Sequence, residues 1–199
     1  MHVPFYLDAA EQRALLADVE TAIAAAPLFQ PCMPRTGKPF SVKMTNCGRL
    51  GWVSDRKGYR YQPTHPKTGK PWPAIPPLAL DAWAKLGRYP HPPEACLINV
   101  YGLAARMGLH QDRDEENFAA PVVSLSLGCS CIFRFAATRG GEAQSLELAS
   151  GDALVLGGAA RLAYHGVVRI LPGSSNLLAD RRINLTLRRV TMPRRAANG

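Results

Sequence analysis

Three residues of the chain have side chains that together can bind a redox-active metal. His110 and Asp112 are separated by one residue, and His165 lies much further along the chain. In an extended segment alternate side chains point to the same face, so His110 and Asp112 can share a metal while Gln111 points away. With His165 arriving from another strand, two imidazoles and one carboxylate would occupy one face of an octahedral ion. The opposite face then stays open, which is the arrangement of oxygen-activating ferrous sites.

A histidine and an aspartate two residues apart are common, and the pair also fits a surface turn beside an unrelated histidine. A second segment therefore has to support the metal-site interpretation. Read as a strand, residues 182–188 turn their side chains alternately to two faces. One face carries Arg182, Asn184, Thr186 and Arg188, and the other carries Ile183, Leu185 and Leu187. A polar face with two arginines lies either against solvent or around an anionic ligand. Because guanidinium binds carboxylate through two parallel hydrogen bonds, this face suits a dicarboxylic co-substrate.

The elements that must position these residues follow a simple order along the chain. Residues 8–26 predict a helix with a capping box at Asp8 and Glu11, and Pro27 ends it. Residues 27–93 are rich in proline and predict short hairpins around Met44 and Trp52 and a helix at about 77–86. Eight short strands are predicted at 96–101, 122–127, 131–135, 145–148, 153–156, 160–164, 166–169 and 183–190. They predict a mainly β fold with flanking helices, a double-stranded β-helix or jelly roll.

Length and composition agree with a single globular domain. The chain has 199 residues, of which 47% are hydrophobic, so it can bury a substantial core. We expect no transmembrane helix and no secretory leader, because neither a long apolar run nor a basic region followed by an apolar one occurs. The five cysteines are an odd number without a C-x-x-C pair, which favours reduced thiols in a cytoplasmic protein. We expect a monomer.

The charge of the chain favours a polyanionic partner. Its net charge of +9 promotes binding to nucleic acid, because cationic side chains displace the counterions condensed on phosphates. Many soluble proteins are also basic, so the distribution of charge matters more than its sum. Residues 49–61 interleave arginine and lysine with tryptophan and tyrosine, a mixture that can contact phosphates and stack on unpaired bases.

At these residues the chain resembles the AlkB family of Fe(II)/2-oxoglutarate dioxygenases, which repair N-alkylated nucleic-acid bases by oxidative dealkylation. The resemblance covers about residues 41–190 and is greatest to the bacterial DNA-repair branch. The segments that carry it are His110-x-Asp112, His165, the alternating run 182–188, Leu97-Ile98-Asn99-x-Tyr101, and residues 44–48, 50–52, 70–73 and 121–128.

The resemblance implies the following activity and organisation. Fe(II) would be bound by His110, Asp112 and His165, with 2-oxoglutarate and O2 as co-substrates. The expected reaction is dealkylation of 1-methyladenine and 3-methylcytosine with release of formaldehyde, in single-stranded DNA above all, with double-stranded DNA and RNA left open. Within one structural domain, we expect an N-terminal helix and extension at 1–40, a nucleotide-recognition lid at 41–93, a catalytic core at 94–192 and a basic tail at 193–199.

The resemblance also assigns residues to the two organic ligands. Those implied for 2-oxoglutarate are Asn99, Tyr101, Arg182, Asn184 and Arg188, with Arg182 on the distal carboxylate and Arg188 near the metal-proximal one. Those implied for the base are Met44, Trp52, Tyr59, Asp114 and Arg139. Simpler structural interpretations remain for several of them. Asn99 and Tyr101 would pair within a sheet, Trp52 would pack inside the lid, and Asp114 would be a solvated charge.

Two positions depart from the bacterial branch, and three other functions stay open. Leu156 replaces an aromatic residue beside the active site, and Val100 replaces a basic residue. Neither is a ligand of metal or co-substrate, so these changes bear on substrate affinity, product release or base preference. The alternatives are an RNA or protein demethylase of the same class, a non-catalytic nucleic-acid-binding protein on this fold, and a jelly-roll metalloprotein that acts on small molecules, such as a cupin-like isomerase or a small-molecule dioxygenase.

Overall fold

The computed structural model describes residues 1–193, in which the strands form two main sheets and one hairpin. The strands are β1 (His2–Val3), β2 (Lys43–Gly48), β3 (Gly51–Asp55), β4 (Gly58–Gln62), β5 (Ala95–Gly102), β6 (Met107–His110), β7 (Val122–Gly128), β8 (Cys131–Ala136), β9 (Gln144–Leu148), β10 (Ala153–Leu156), β11 (Tyr164–Ile170) and β12 (Arg181–Arg188). The helices are α1 (Ala9–Ala25) and α2 (Pro77–Ala82), which continues as a π-helical turn, Trp83–Gly87; a 3-10 turn, Gly158–Ala160, precedes β11. Apart from Pro193, the predicted basic tail lies outside the described residues.

The two main sheets confirm the jelly-roll prediction. The larger sheet has the strand order β1-β10-β7-β12-β5-β2, and the smaller has the order β6-β11-β8-β9. All of their strand pairs are antiparallel, and β3 pairs with β4 as a separate hairpin. Within residues 1–193 no helix is long and apolar enough to cross a membrane.

The larger sheet is packed on both faces, and this arrangement turns one face of β12 toward the site. Ile183, Leu185 and Leu187 are buried in a core cluster with residues of α1 and α2. The alternate residues of β12 face the opposite side, between the two sheets. Helix α1 begins as the sequence predicts, because Asp8 accepts from the backbone of Glu11 while the Glu11 side chain accepts from the backbone of Asp8.

Three parts of the strand prediction are wrong or incomplete. Residues 160–164 do not form a separate strand; they run from the last residue of the 3-10 turn to the first residue of β11, and the side chain of Arg161 donates to backbone carbonyls of another loop. No hairpin forms around Met44, because β2 joins the larger sheet beside β5. The short strand β6 was not among the predicted strands, since its sequence, MGLH, has no alternation of apolar and polar residues.

Candidate active site

His110 and His165 face each other across two neighbouring strands. They are direct partners in the antiparallel pair of β6 and β11, and their ring centroids lie 4.6 Å apart. Each ring places Nδ1 next to a backbone carbonyl two residues earlier, at 2.9 Å from Gly108 and at 3.0 Å from Ala163. Donation from Nδ1 to these carbonyls fixes each imidazole and leaves Nε2 free to bind a metal.

Asp112 completes a cluster that fits one metal ion. Its Oδ1 lies 3.8 Å from Nε2 of His110, and its Oδ2 lies 3.8 Å from Nε2 of His165. One ligand atom from each residue lies within 4.8 Å of the other two. Because β6 ends at His110, Asp112 belongs to the loop that follows rather than to the strand itself. Two imidazoles and one carboxylate on one side of an open cavity are the donor set that non-haem Fe(II) takes.

The electrostatics around Asp112 favour its ionised form. The carboxylate is buried, and Arg188 donates to its Oδ2 over 2.8 Å. Burial by itself raises the pKa of Asp112, but the Arg188 guanidinium and the two imidazoles outweigh it and hold the pKa well below the usual range. Burial also lowers the pKa of His165, which favours the neutral imidazole that a metal requires.

The cluster lies at one side of a cavity of about 640 Å³ between the two sheets. The four polar residues of β12, which are Arg182, Asn184, Thr186 and Arg188, all line it, as period-two alternation predicts. A cavity of this volume falls in the range of about 300–1,000 Å³ that is usual for small-molecule sites.

Arg182 is a buried cation inside this cavity without an anionic partner. Only 1% of the residue is exposed, and within residues 1–193 no carboxylate lies within ion-pair distance of its guanidinium. It donates to the carbonyls of Leu148 and Cys129 at 3.0 and 3.2 Å and to Oγ of Ser126 at 2.6 Å, and its Nε has no hydrogen-bond partner among the described residues. Since an unpaired buried charge is unfavourable, this position fits the carboxylate of a ligand such as 2-oxoglutarate.

The strand β5, which pairs with β12, contributes two more polar residues. Asn99 lies opposite Asn184, and Tyr101 lies opposite Arg182, in the pairing of β5 with β12. The Oδ1 of Asn99 is buried without a hydrogen-bond partner in the described chain, whereas the Asn184 amide donates to Thr186. Burial raises the pKa of Tyr101, so its phenol stays protonated and can donate to an anion. Both strands therefore offer polar groups to one ligand.

A second side of the cavity, formed by the β3–β4 hairpin and β2, is aromatic and more exposed. Trp52 on β3 and Tyr59 on β4 stack with centroids 5.7 Å apart and planes 16° apart, and half of Tyr59 is exposed. The indole Nε1 of Trp52 donates to Asp114 over 2.7 Å, so that carboxylate is already hydrogen-bonded. Met44 is buried and lines the same cavity. Arg139 is exposed in the loop between β8 and β9 and does not line the cavity, so its role stays a prediction.

Three residues that the sequence did not assign to the site connect its two sides. The Tyr61 phenol donates to the buried carboxylate of Glu115, which lies 3.0 Å from a guanidinium nitrogen of Arg161 and 3.3 Å from Nε of Arg188. Tyr61 could have been found, because it follows Tyr59 by two residues and so shares its face of the hairpin. Glu115 gave no such signal, since a charged residue in an acidic run is normally solvated. Arg161 gave none either, because its segment was predicted to be a strand.

Comparison with known proteins agrees with this geometry. The family model described as the 2OG-Fe(II) oxygenase superfamily matches residues 1–188. An alpha-ketoglutarate-dependent dioxygenase AlkB homolog from Caulobacter vibrioides is 53% identical over 188 residues, which are 94% of this chain and 85% of the relative. The chain belongs to the AlkB family of 2OG-Fe(II) oxygenases.

Two further relatives support the assignment of this AlkB-family chain. The alpha-ketoglutarate-dependent dioxygenase AlkB of Escherichia coli K12 is 43% identical over 189 residues, covering 92% of this chain and 86% of that protein. The solved structure of OsALKBH1 is 28% identical, with a TM-score of 0.77 and coverage of 94% of this chain and 95% of that one. The protein is thus an Fe(II)-dependent dioxygenase with 2-oxoglutarate and O2 as co-substrates, rather than a cupin-like isomerase or a non-catalytic binding protein.

Proposed function

We propose that this AlkB-family enzyme oxidatively removes alkyl groups from the bases of nucleic acid. Its preferred substrates would be 1-methyladenine and 3-methylcytosine in single-stranded DNA, with formaldehyde as the released product. The observation that carries the proposal is the stacked pair of Trp52 and Tyr59, which lines the same cavity as the three candidate metal ligands. Aromatic side chains at the mouth of an oxidising site suit a planar substrate, because every base has a face that stacks.

The buried side of the cavity would hold the iron and the co-substrate. Fe(II) on His110, Asp112 and His165 would supply the oxidation of a substrate C–H bond, driven by O2 and the decarboxylation of 2-oxoglutarate. Arg182 would bind the distal carboxylate of 2-oxoglutarate, since it is a buried cation without an anionic partner in the described chain. Arg188 would orient the Asp112 carboxylate and lie near the metal-proximal end of the co-substrate. Asn99, Tyr101 and Asn184 would donate to or accept from the same ligand.

The exposed side would select the base. A methyl group on the Watson–Crick edge weakens pairing and so lowers the extrusion energy, which is normally a few kcal/mol. Stacking on an aromatic ring then contributes about 1–3 kcal/mol per base. Trp52 is the proposed stacking partner, with Tyr59 at the rim and Met44 beneath. Asp114 would accept from the exocyclic amino group, in exchange for or in addition to its bond with Trp52.

The rim of the cavity carries cations that suit a phosphate backbone. Lys38 and Arg106 are exposed and line the cavity. Arg56 and Lys57 lie at the turn between β3 and β4 and make no ion pair within residues 1–193, whereas Arg60 is paired with a carboxylate of its own hairpin. Unpaired cations beside the mouth would contact the nucleotides that flank the target base.

The direct test is an aerobic incubation with Fe(II), 2-oxoglutarate and oligonucleotides that carry a single 1-methyladenine or 3-methylcytosine. Formaldehyde and repaired base are measured in the same reaction, with single-stranded DNA, duplex DNA and RNA of one sequence compared in parallel. An unmethylated strand and a methylated peptide serve as controls. We expect equal amounts of formaldehyde and repaired base, with the highest rate on single-stranded DNA.

Other outcomes would change the proposal in defined ways. Faster turnover on RNA would make the protein an RNA demethylase, and turnover of the peptide alone would remove nucleic acid as the substrate. Consumption of 2-oxoglutarate without repair of any methylated strand would contradict the proposed substrate class. A cytoplasmic location, a monomeric state and the segment boundaries given above stay predictions.

A further inference from the structure

A buried arginine outside the metal cluster binds the loop that carries the metal carboxylate. Arg161 is 3% exposed, and all three of its guanidinium nitrogens donate to that loop. Nε donates to the carbonyl of Ala120 over 2.9 Å, one terminal nitrogen donates to the carbonyl of Asp112 over 2.9 Å, and the other donates to Glu115 over 3.0 Å. The acceptors lie at the start, the middle and the end of the segment between β6 and β7.

The position of Arg161 links this loop to the third candidate ligand. Arg161 directly follows the 3-10 turn Gly158–Ala160 and shortly precedes His165 on β11. Beside it, the carbonyl of Leu162 accepts from the side-chain amide of Gln111, which lies between the two ligands of the H-x-D motif. The short segment that leads into β11 therefore binds Gln111, Asp112 and Glu115 by hydrogen bonds, so it holds the chain before and after the metal carboxylate.

The loop needs such a contact because regular secondary structure does not hold Asp112. The strand β6 ends at His110, so within residues 1–193 no strand ladder of backbone hydrogen bonds fixes Gln111 and Asp112. Arg188 binds the Asp112 carboxylate at 2.8 Å, while Arg161 binds its backbone carbonyl. Because its carboxylate and its backbone carbonyl are both held, Asp112 is restricted in orientation as well as in position.

The buried charges around the Asp112 loop balance one another. Asp112, Glu115, Arg161 and Arg188 are all at least nine-tenths buried, and the two guanidinium groups match the two carboxylates. Removing one cation would leave Glu115 with less compensation and would free the Asp112 carbonyl. Replacing Arg161 would therefore change the position of the Asp112 carboxylate, although Arg161 is not a member of the metal cluster.

We propose that Arg161 is a positioning residue of the iron site. It fixes the Asp112 loop to the segment that carries His165, so that the carboxylate stays within reach of both imidazoles. Residues that orient metal ligands typically change metal affinity by about 10- to 100-fold when they are replaced.

The test measures binding of Co(II) alone by titration calorimetry, with no 2-oxoglutarate or nucleic acid present. Arg161→Met keeps most of the side-chain volume and removes the three donors. Arg189→Met is the matched control, because Arg189 is also a mostly buried arginine beside a buried carboxylate, Glu94, at 3.5 Å. Within residues 1–193 its side chain makes no hydrogen bond or ion pair with His110, Asp112 or His165. We expect Co(II) to bind about 10- to 100-fold more weakly to Arg161→Met and unchanged to Arg189→Met, although both variants have lower melting temperatures.

A second variant keeps the test decisive if Arg161→Met does not fold. Arg161→Lys retains the charge opposite Glu115, but an ammonium group cannot replace the fork that reaches both carbonyls, so weaker Co(II) binding is again expected. Co(II) affinity within twofold of the Arg189→Met value in either folded variant would show that Arg161 serves stability alone. Because no substrate is present, this result is independent of whether the proposed nucleic-acid substrate is correct.

Discussion

The two sides of the cavity differ in how far the protein itself has fixed their side chains. On the metal side, Asp112, His165, Arg182 and Arg188 are buried and held by short contacts to strands or to one another. His110 is more exposed, but its ring is held by the Gly108 carbonyl. On the lid side, Tyr59 is half exposed. The indole of Trp52 is partly exposed; it stacks on Tyr59 and donates to the exposed Asp114.

This difference suits the two kinds of ligand that we propose for the two sides. The iron and the co-substrate each require ligand atoms at fixed positions. Protein side chains that already hold those positions lose little conformational entropy when the iron and the co-substrate bind. A base from a flexible nucleic-acid strand would meet Trp52 and Tyr59 already stacked on each other. It would have to separate the two rings or stack on the outside of the pair. The metal side should therefore tolerate substitution poorly, and the lid side should tolerate it with graded losses.

The largest effect is expected at a metal ligand. His110→Ala should lower 2-oxoglutarate turnover by more than about a hundredfold, because residues that merely orient metal ligands already contribute about 10- to 100-fold. Turnover is measured with controlled iron, and melting temperature reports the fold. His91→Ala, a histidine outside the cavity, should keep full activity. Near-normal turnover of His110→Ala would remove His110 from the metal site.

A smaller but still large effect is expected at Arg182. Arg182→Met should raise the 2-oxoglutarate concentration needed for half-maximal turnover by roughly 10- to 150-fold, since a charged hydrogen bond contributes about 1.5–3 kcal/mol. Binding of an oligonucleotide should change little. In the wild type, 2-oxoglutarate should raise the melting temperature, and in the variant this increase should largely disappear. The opposite pattern, with weaker oligonucleotide binding and an unchanged co-substrate requirement, would make Arg182 a phosphate contact.

The lid side should separate repair from co-substrate turnover. Trp52→Ala should lower repair of a methylated single strand by roughly 5- to 150-fold, from a stacking contribution of about 1–3 kcal/mol. Decarboxylation of 2-oxoglutarate without substrate should persist. Trp52→Phe keeps a ring but loses the donor to Asp114, so it distinguishes stacking from the hydrogen bond. Equal loss of both reactions with a lower melting temperature would instead identify a structural tryptophan.

The smallest effect is expected away from the cavity, at Glu94. Its buried carboxylate accepts from the backbone of Val190 and Thr191 and pairs with Arg49. Burial raises the pKa of Glu94, but the Thr191 donors and Arg49 outweigh it and leave the pKa below its usual value. A lowered folded-state pKa stabilises the protein above the unfolded-state value of about 4.3, and this contribution is lost as pH falls through the folded-state pKa.

Glu94→Gln should therefore destabilise the protein at pH 7 by about 1–3 kcal/mol, because one amide cannot accept all of these bonds. The difference from the wild type should shrink as pH falls from the unfolded-state pKa of about 4.3 through the lower folded-state pKa of Glu94. Thermal unfolding between pH 3 and pH 7 measures it. A difference that does not change with pH would show that the charge of Glu94 contributes little.

The sequence by itself determined the parts of the molecule that depend on local period and residue type. Alternation along residues 182–188 placed Arg182 and Arg188 on one face, and the capping box at Asp8 fixed the start of α1. The H-x-D motif with His165 named a metal cluster whose members do meet. These signals are readable because a strand or a helix repeats its geometry at every residue.

The tertiary structure alone decided which charges are buried and paired. Glu115 lies in an acidic run that looks solvated, and Arg161 lies in a segment that looks like a strand, but folding places both at the metal loop. The Trp52 bond to Asp114 and the missing anionic partner of Arg182 within residues 1–193 also depend on chain segments that are distant in sequence. Side-chain pairing across such distances depends on how the sheets pack, and no local period encodes it.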